Sequence, residues 1–193
     1  MGREFELKYR ANEQAQAALK GDFSLDWQEI SMETTYYDTP GRDLGRLRWT
    51  LRSRMENGVA VCTVKTPAAD GGRGEWELCR GDIREAIPEL CKLGAPAELL
   101  TLTRSGLEAV CGAKFTRQAA ILTVGDCTVE LALDSGMLLG GGKELPLWEI
   151  EVEVKEGSEA AAVAFAEELA AKYDLTAESR SKYSRALALA KGE

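Results

Sequence analysis

One pattern limits this chain more than any other: charge on every second residue, in one strand after another. The first case is Glu4-Phe5-Glu6-Leu7-Lys8. Successive side chains on a strand point to opposite faces. Glu4, Glu6 and Lys8 therefore share one face, and Phe5, Leu7 and Tyr9 share the other. Alone, this is an ordinary amphipathic strand with its charged face in water. The pattern returns, however. Arg48, Thr50, Arg52 and Arg54 oppose Leu47, Trp49 and Leu51; Arg73, Glu75 and Glu77 oppose Gly74, Trp76 and Leu78; Glu149, Glu151 and Glu153 oppose Ile150, Val152 and Val154.

The punctuation between these runs predicts mostly hairpins. Asn57-Gly58 joins strands Leu47–Met55 and Val59–Lys65, Asp70-Gly71-Gly72 opens another turn, and Gly125-Asp126 joins Phe115–Val124 to Cys127–Asp134. Thr39-Pro40-Gly41 stops a strand near 33–38, and Gly140-Gly141-Gly142 is a loop before the strand at 146–155. Helical spacing predicts a short helix capped by Asn12, two or three short helices between Ile83 and about Cys111, an alanine-rich helix from Ser158 to near Tyr173, and a last helix over 178–191.

Composition closes several routes. The sequence has no histidine, which excludes His-ligated metals, Ser-His-Asp and Cys-His catalysis, and imidazole proton shuttles. Its five cysteines form no Cys-x-x-Cys pair and read as core residues of a reducing, cytoplasmic compartment. A net charge of −8 argues against nucleic acid as a partner. No signal peptide, myristoylation pattern or apolar span predicts a membrane.

The apolar faces must be buried, and the helices are suitable covers for them. The expectation is an α+β fold: an antiparallel closed β-barrel of about eight strands, with helices outside and a charged interior. Its lining would carry the acids Glu4, Glu6, Glu75, Glu77, Asp134, Glu149, Glu151 and Glu153. The bases would be Lys8, Arg52, Arg54, Lys65, Arg73 and Arg117. Enclosed charges are costly unless they pair or hold ions. Carboxylates suit hard cations and Arg/Lys clusters suit phosphates, so a metal–polyphosphate complex satisfies both.

In this order and spacing the residues resemble the CYTH domain, the triphosphate tunnel metalloenzymes. Glu4-x-Glu6-x-Lys8 is similar to its N-terminal signature and Tyr36-Tyr37-Asp38-Thr39-Pro40 to its second-strand motif. Leu51-Arg52-Ser53-Arg54 with Lys65, Arg73-x-Glu75-x-Glu77, Arg117, Asp134, Trp148-Glu149-Ile150-Glu151-Val152-Glu153 and Ser181-Lys182-Tyr183-Ser184-Arg185 complete the likeness. The resemblance implies one tunnel domain over residues 1–193 and a divalent-metal-dependent triphosphatase using one or two Mg²⁺ or Mn²⁺ ions. Lys8, Arg52, Arg54, Lys65, Arg73, Arg117 and Lys182 would bind phosphate. Glu4, Glu6, Glu149 and Glu151 would hold metal, with Glu75, Glu77, Asp134 and Glu153 as further ligands or water-positioning groups. Glu4, Glu6, Lys8 and Glu151 would be closest to the chemistry, and Lys182 implies that the last helix closes one mouth.

Inorganic triphosphate is the expected substrate, because no pocket for a base or thiazole is readable. Thiamine-triphosphatase or class IV adenylyl cyclase activity, or a non-catalytic polyphosphate sensor, are the alternatives, and a homodimer stays open. Tyr36 and Tyr37 read as strand packing. Gly140-Gly141-Gly142-Lys143 lacks the spacing of a P-loop.

Overall fold

The computed structural model describes residues 5–67 and 73–193, and of Arg73 the backbone alone. Glu4, the Arg73 side chain and the turn expected at Asp70-Gly71-Gly72 therefore lie outside the described residues.

The chain begins with strand β1 (Glu6–Arg10) and helix α1 (Glu13–Asp22), whose N-cap Asn12 accepts the Ala15 N–H at 2.8 Å. Strand β2 (Gln28–Asp38) and the short helix α2 (Asp43–Arg46) follow. Next come β3 (Thr50–Glu56), β4 (Val59–Pro67) and β5 (Arg73–Cys79). Helices α3 (Ile83–Lys92) and α4 (Glu98–Leu102) lead to three long strands: β6 (Glu108–Val124), β7 (Cys127–Gly140) and β8 (Lys143–Glu156). Helix α5 (Glu159–Lys172), the two-residue β9 (Thr176–Ala177) and helix α6 (Lys182–Lys191) complete the chain.

Asn57 and Gly58 both have positive φ, 48° and 87°, as a two-residue hairpin between right-twisted strands requires. Gly141 and Gly142 do the same between β7 and β8, at 59° and 74°.

Several boundaries differ from expectation: β2 starts at Gln28, β7 runs on to Gly140, β8 starts at Lys143 and α6 starts at Lys182. The third strand starts at Thr50, because Leu44 is buried and holds 43–46 as a helical turn. The helical region ends at a 3₁₀ turn (Thr103–Ser105), and β6 starts at Glu108. Its first half, Gly112 and Ala113 included, is too neutral to show an alternation.

The strands form one antiparallel sheet in the order β5-β4-β3-β2-β6-β7-β8-β1-β9. The expected hydrogen-bonded closure is absent among the described residues: β5 and β9 are edges, so the ladder is not a closed barrel. The inside-out distribution of polarity is present. One apolar cluster sets Leu131, Leu133, Ile150 and Val152 against Leu19 of α1 and Ala162, Ala166 and Leu169 of α5. Another sets Leu51, Cys62 and Val64 against Ile83, Ile87 and Leu90 of α3 and Leu99 of α4. Helices thus cover the apolar face on both flanks, at roughly 1.5–3 kcal/mol per large side chain removed from water.

Helix α6 is placed differently. Its Ala186 packs with Met32, Tyr36, Phe115, Leu138 and Leu147, residues of the opposite, inner face. The contact is close: a Cβ on Gly140 would lie 2.3 Å from the Ala186 carbonyl oxygen and 2.7 Å from the Ala190 nitrogen. Glycine is therefore required there for α6 to seat on the β6–β7–β8 platform.

Candidate active site

The inner face surrounds a cavity of about 680 Å³ that draws side chains from β1 through β8 and from the start of α6. Of the residues expected there, Glu6, Lys8, Arg52, Arg54, Lys65, Glu75, Glu77, Arg117, Glu151, Glu153 and Lys182 all line it. Asp134 and Glu149 do not; both are fully buried behind its surface.

Register explains the grouping. In β1–β8–β7, Glu6 pairs with Glu153 and Glu153 with Glu130, a row of three acids; two residues along, Lys8 pairs with Glu151. Two residues further, Glu149 pairs with Asp134, which pairs with Arg117 on β6. On the other side of the cavity, Arg52 pairs with Thr63 and Thr63 with Glu77, while Lys65 pairs with Glu75. Acids thus outnumber bases on β1, β7 and β8, the acidic wall; bases outnumber acids on β3 and β4, the basic wall; and β5 sets Glu75 and Glu77 beside those bases.

The acidic wall has two levels. At the α6 end lies a buried nest. Asp134 accepts both Arg117 Nε and a terminal Arg117 nitrogen at 2.7 Å, a fork-on-carboxylate pair. Arg117 also bonds Glu151. The Lys182 ammonium lies 2.8 Å from Asp134 and 2.7 Å from Glu151, and it also bonds Glu149, whose second oxygen accepts Arg185. Three carboxylates meet three cations. From α1, Gln16 donates its amide to the backbone oxygens of Asp134 and Glu149 at 2.9 and 3.0 Å, tying the two acids' strands together.

Burial and pairing act against each other here. Burial pushes the Glu149 carboxyl up to about 7, and Lys182 only partly offsets it. Burial raises Glu151 too, but Lys182 and Arg117 outweigh it and hold this carboxyl well below its ordinary range. Burial disfavours the charged Lys182, yet Glu151, Asp134 and Glu149 raise it above its ordinary value. The α6 N-terminus carries Lys182 and Arg185 with no acid in its first turn, against the helix dipole; the sheet supplies the missing anions.

At the other end the acids are partly open. Glu6 accepts Lys8 at 2.8 Å, and Lys155 lies 2.9 Å from Glu153 and 3.5 Å from Glu130. Glu130 and Lys155 were not singled out from the sequence. The signal was there: stepping by two from Asp134 reaches Glu130, and from Glu153 reaches Lys155.

On the basic wall, Arg54 donates to Glu56 at 2.6 Å, and Lys65 lies 3.0 Å from Glu75. Burial, then the neighbouring Arg52 charge, pulls Arg54 below its ordinary value. Among the described residues, the buried Arg52 Nε and Thr63 Oγ1 have no hydrogen-bond partner. Between the walls, Ile30, Met32 and Phe115 form an apolar strip, and Tyr36, its ring centre 5.1 Å from that of Tyr183, also reaches the cavity.

Comparison with known proteins agrees with this geometry. The family model described as CYTH domain matches residues 2–187. The chain is 28% identical over 163 residues to an inorganic triphosphatase of Haemophilus influenzae, a match covering 83% of this chain and 46% of the relative. The chain thus spans about half the length of that curated relative. Among solved structures it resembles a Hippeastrum protein with a dominant triphosphatase activity, at TM-score 0.65 and 18% identity over 100% of this chain and 97% of that one. A Pyrococcus horikoshii protein gives TM-score 0.62 and 23% identity, covering 97% and 99% of the two chains. Both structural likenesses speak to the fold.

Proposed function

The chain belongs to the CYTH domain family, and from that premise we propose that it hydrolyses inorganic triphosphate to diphosphate and phosphate with a divalent cation. The observation that carries this reading is a single cavity of about 680 Å³ with a basic wall on β3 and β4 facing an acidic wall on β1, β7 and β8. Residues 1–193 are read as one domain. The sheet is read as curling into a tunnel whose edges approach without a shared ladder.

For a divalent cation the donor chemistry fits: the acidic wall offers carboxylate oxygens, and the chain has no histidine to compete. Glu6 and Glu151 would hold the ion, with Glu4 by its motif position and Glu149 and Asp134 from the nest behind. Bound Mg²⁺ or Mn²⁺ would neutralise phosphate charge and make a bound water more acidic.

The protein's own share is positioning and charge, which is most of what phosphoryl transfer needs. Arg52, Arg54 and Lys65 would grip phosphate oxygens, and the orphaned Arg52 Nε gains a partner from such an oxygen. Lys8, Arg117 and Lys182 would take oxygens on the acidic side, where they already neutralise carboxylates; Arg73 joins by its motif position. Glu75, Glu77 and Glu153 remain as further ligands or groups that orient the attacking water.

The test is phosphate and diphosphate release from triphosphate with Mg²⁺ or Mn²⁺, expected to stop on chelation. Tight triphosphate binding without turnover, across metals and pH, would replace the hydrolase by a sensor. The apolar strip of Ile30, Met32 and Phe115 favours a second reading, an organic triphosphate such as thiamine triphosphate or ATP. A panel of these with inorganic triphosphate separates the two.

A further inference from the structure

Asp134, Glu149 and Glu151 each bring one carboxylate oxygen within 4.8 Å of the others, all three residues being buried. A cation already fills the point where these oxygens converge. It is the Lys182 ammonium, 2.8 Å from Asp134, 2.7 Å from Glu151 and bonded to Glu149. Two independent facts therefore coincide, an oxygen cluster with metal-like spacing and a positive charge of the protein's own lodged in it.

We propose that Lys182 and a divalent cation are alternative occupants of this one nest, so that metal entry releases the Lys182 ammonium to the substrate. The inference rests on the metal-dependent reading above. Charge drives it. With Lys182, Arg117 and Arg185 in place the nest is balanced. Adding a divalent ion to the filled nest leaves two uncompensated charges away from water, which is severely unfavourable. Exchanging the ion for Lys182 leaves one.

Lys182 is the first residue of α6 and lines the cavity, so its ammonium has somewhere to go. A polyphosphate there supplies both the negative charge that the nest then lacks and a partner for the displaced ammonium. Metal and anion therefore strengthen each other's binding by the same factor. Lys182 contacts phosphate only after the metal has entered.

The experiment is Mn²⁺ binding, followed by calorimetry and by the electron-spin resonance of free Mn²⁺. It compares the wild type with Lys182→Met, each with and without imidotriphosphate, whose bridging N–H groups resist hydrolysis. The expected result is that Lys182→Met binds Mn²⁺ alone at least tenfold more tightly than the wild type, and that imidotriphosphate tightens wild-type binding by a similar factor. Equal or weaker Mn²⁺ binding by Lys182→Met, beside measurable wild-type binding, overturns the exchange and leaves the metal role standing. Absence of Mn²⁺ binding in both proteins, even with imidotriphosphate, overturns the metal reading and the exchange with it. If Lys182→Met does not fold, amine acylation of the wild type with peptide mapping decides. Saturating Mg²⁺ should raise the labelling rate of Lys182 severalfold; an unchanged rate overturns the exchange.

Discussion

Glu149 and Glu153 stand four residues apart on the same face of β8, yet they live in different worlds. Glu149 is fully buried and closed in by Lys182 and Arg185. Glu153 lies on the half-open side of the cavity, with Lys155 at 2.9 Å and Glu6 and Glu130 as cross-strand neighbours. The nest is a balanced cluster that holds a helix in place. The open row, like the Arg52–Arg54–Lys65 wall opposite, keeps water and ligand within reach. The same charges thus serve cohesion at one end and reception at the other, and the difference is the presence of α6.

This contrast can be broken from both sides. The largest structural effect should come from Glu149→Ala, which leaves Lys182 and Arg185 buried beside one carboxylate fewer. Urea unfolding should show a loss of roughly 3–5 kcal/mol. Arg54→Ala, on the open wall, should cost at most about 1 kcal/mol of stability while lowering triphosphate turnover roughly 100-fold or more, since its role is to meet developing charge. If the two substitutions proved equally destabilising, the two regions would not differ in kind.

A subtler test moves the helix and leaves every charge in place. Gly140→Ala puts a methyl group against the α6 backbone. It should cost about 1–3 kcal/mol and lower the affinity for triphosphate, read as a raised KM. An unchanged KM would detach the seat of α6 from the site.

The smallest effect belongs to the segment leading into α6. Glu178 bonds Arg10 at 2.7 Å and the Arg180 N–H at 2.9 Å. Its burial favours the neutral acid, but the bonds from Arg180 and Arg10 outweigh it and bring the carboxyl down to about 2. A depressed value means stability that is present above the ordinary pKa of 4.5 and lost as pH falls towards about 2. Glu178→Gln should therefore cost about 1 kcal/mol at pH 7, and the gap should vanish as the pH is lowered through that window.

The inward charges were legible because a period of two is a local property. Nothing beyond Glu149-x-Glu151-x-Glu153 or Arg52-x-Arg54 is needed to put those side chains on one face. Which of them a helix covers is a long-range fact, so the burial of Glu149 and Asp134 could not be read. The outer helices were foreseeable from the apolar faces that they cover. The inner seat of α6 was expected only through the resemblance that puts Lys182 at one mouth; the residues alone do not show it, because the seat depends on Gly140, which reads as part of a loop. Closure into a barrel was inferred from strand number and from the resemblance. Neither says whether β5 meets β9, and among the described residues each of these edge strands is paired on one side only.

Gln16 and Arg117 cannot balance the nest alone. Whenever the last helix peels off an otherwise intact sheet, Asp134, Glu149 and Glu151 face a single remaining arginine. Glu151, which Lys182 and Arg117 hold well below its ordinary 4.5, then loses Lys182 and takes up a proton more readily, whereas Glu149, raised by burial, gives its proton up. The two carboxyls oppose each other near neutrality, so native-state hydrogen exchange of the α6 amides, corrected for intrinsic rates, should show fraying that grows as the pH falls below about 4.5, where Glu151 alone sets the sign.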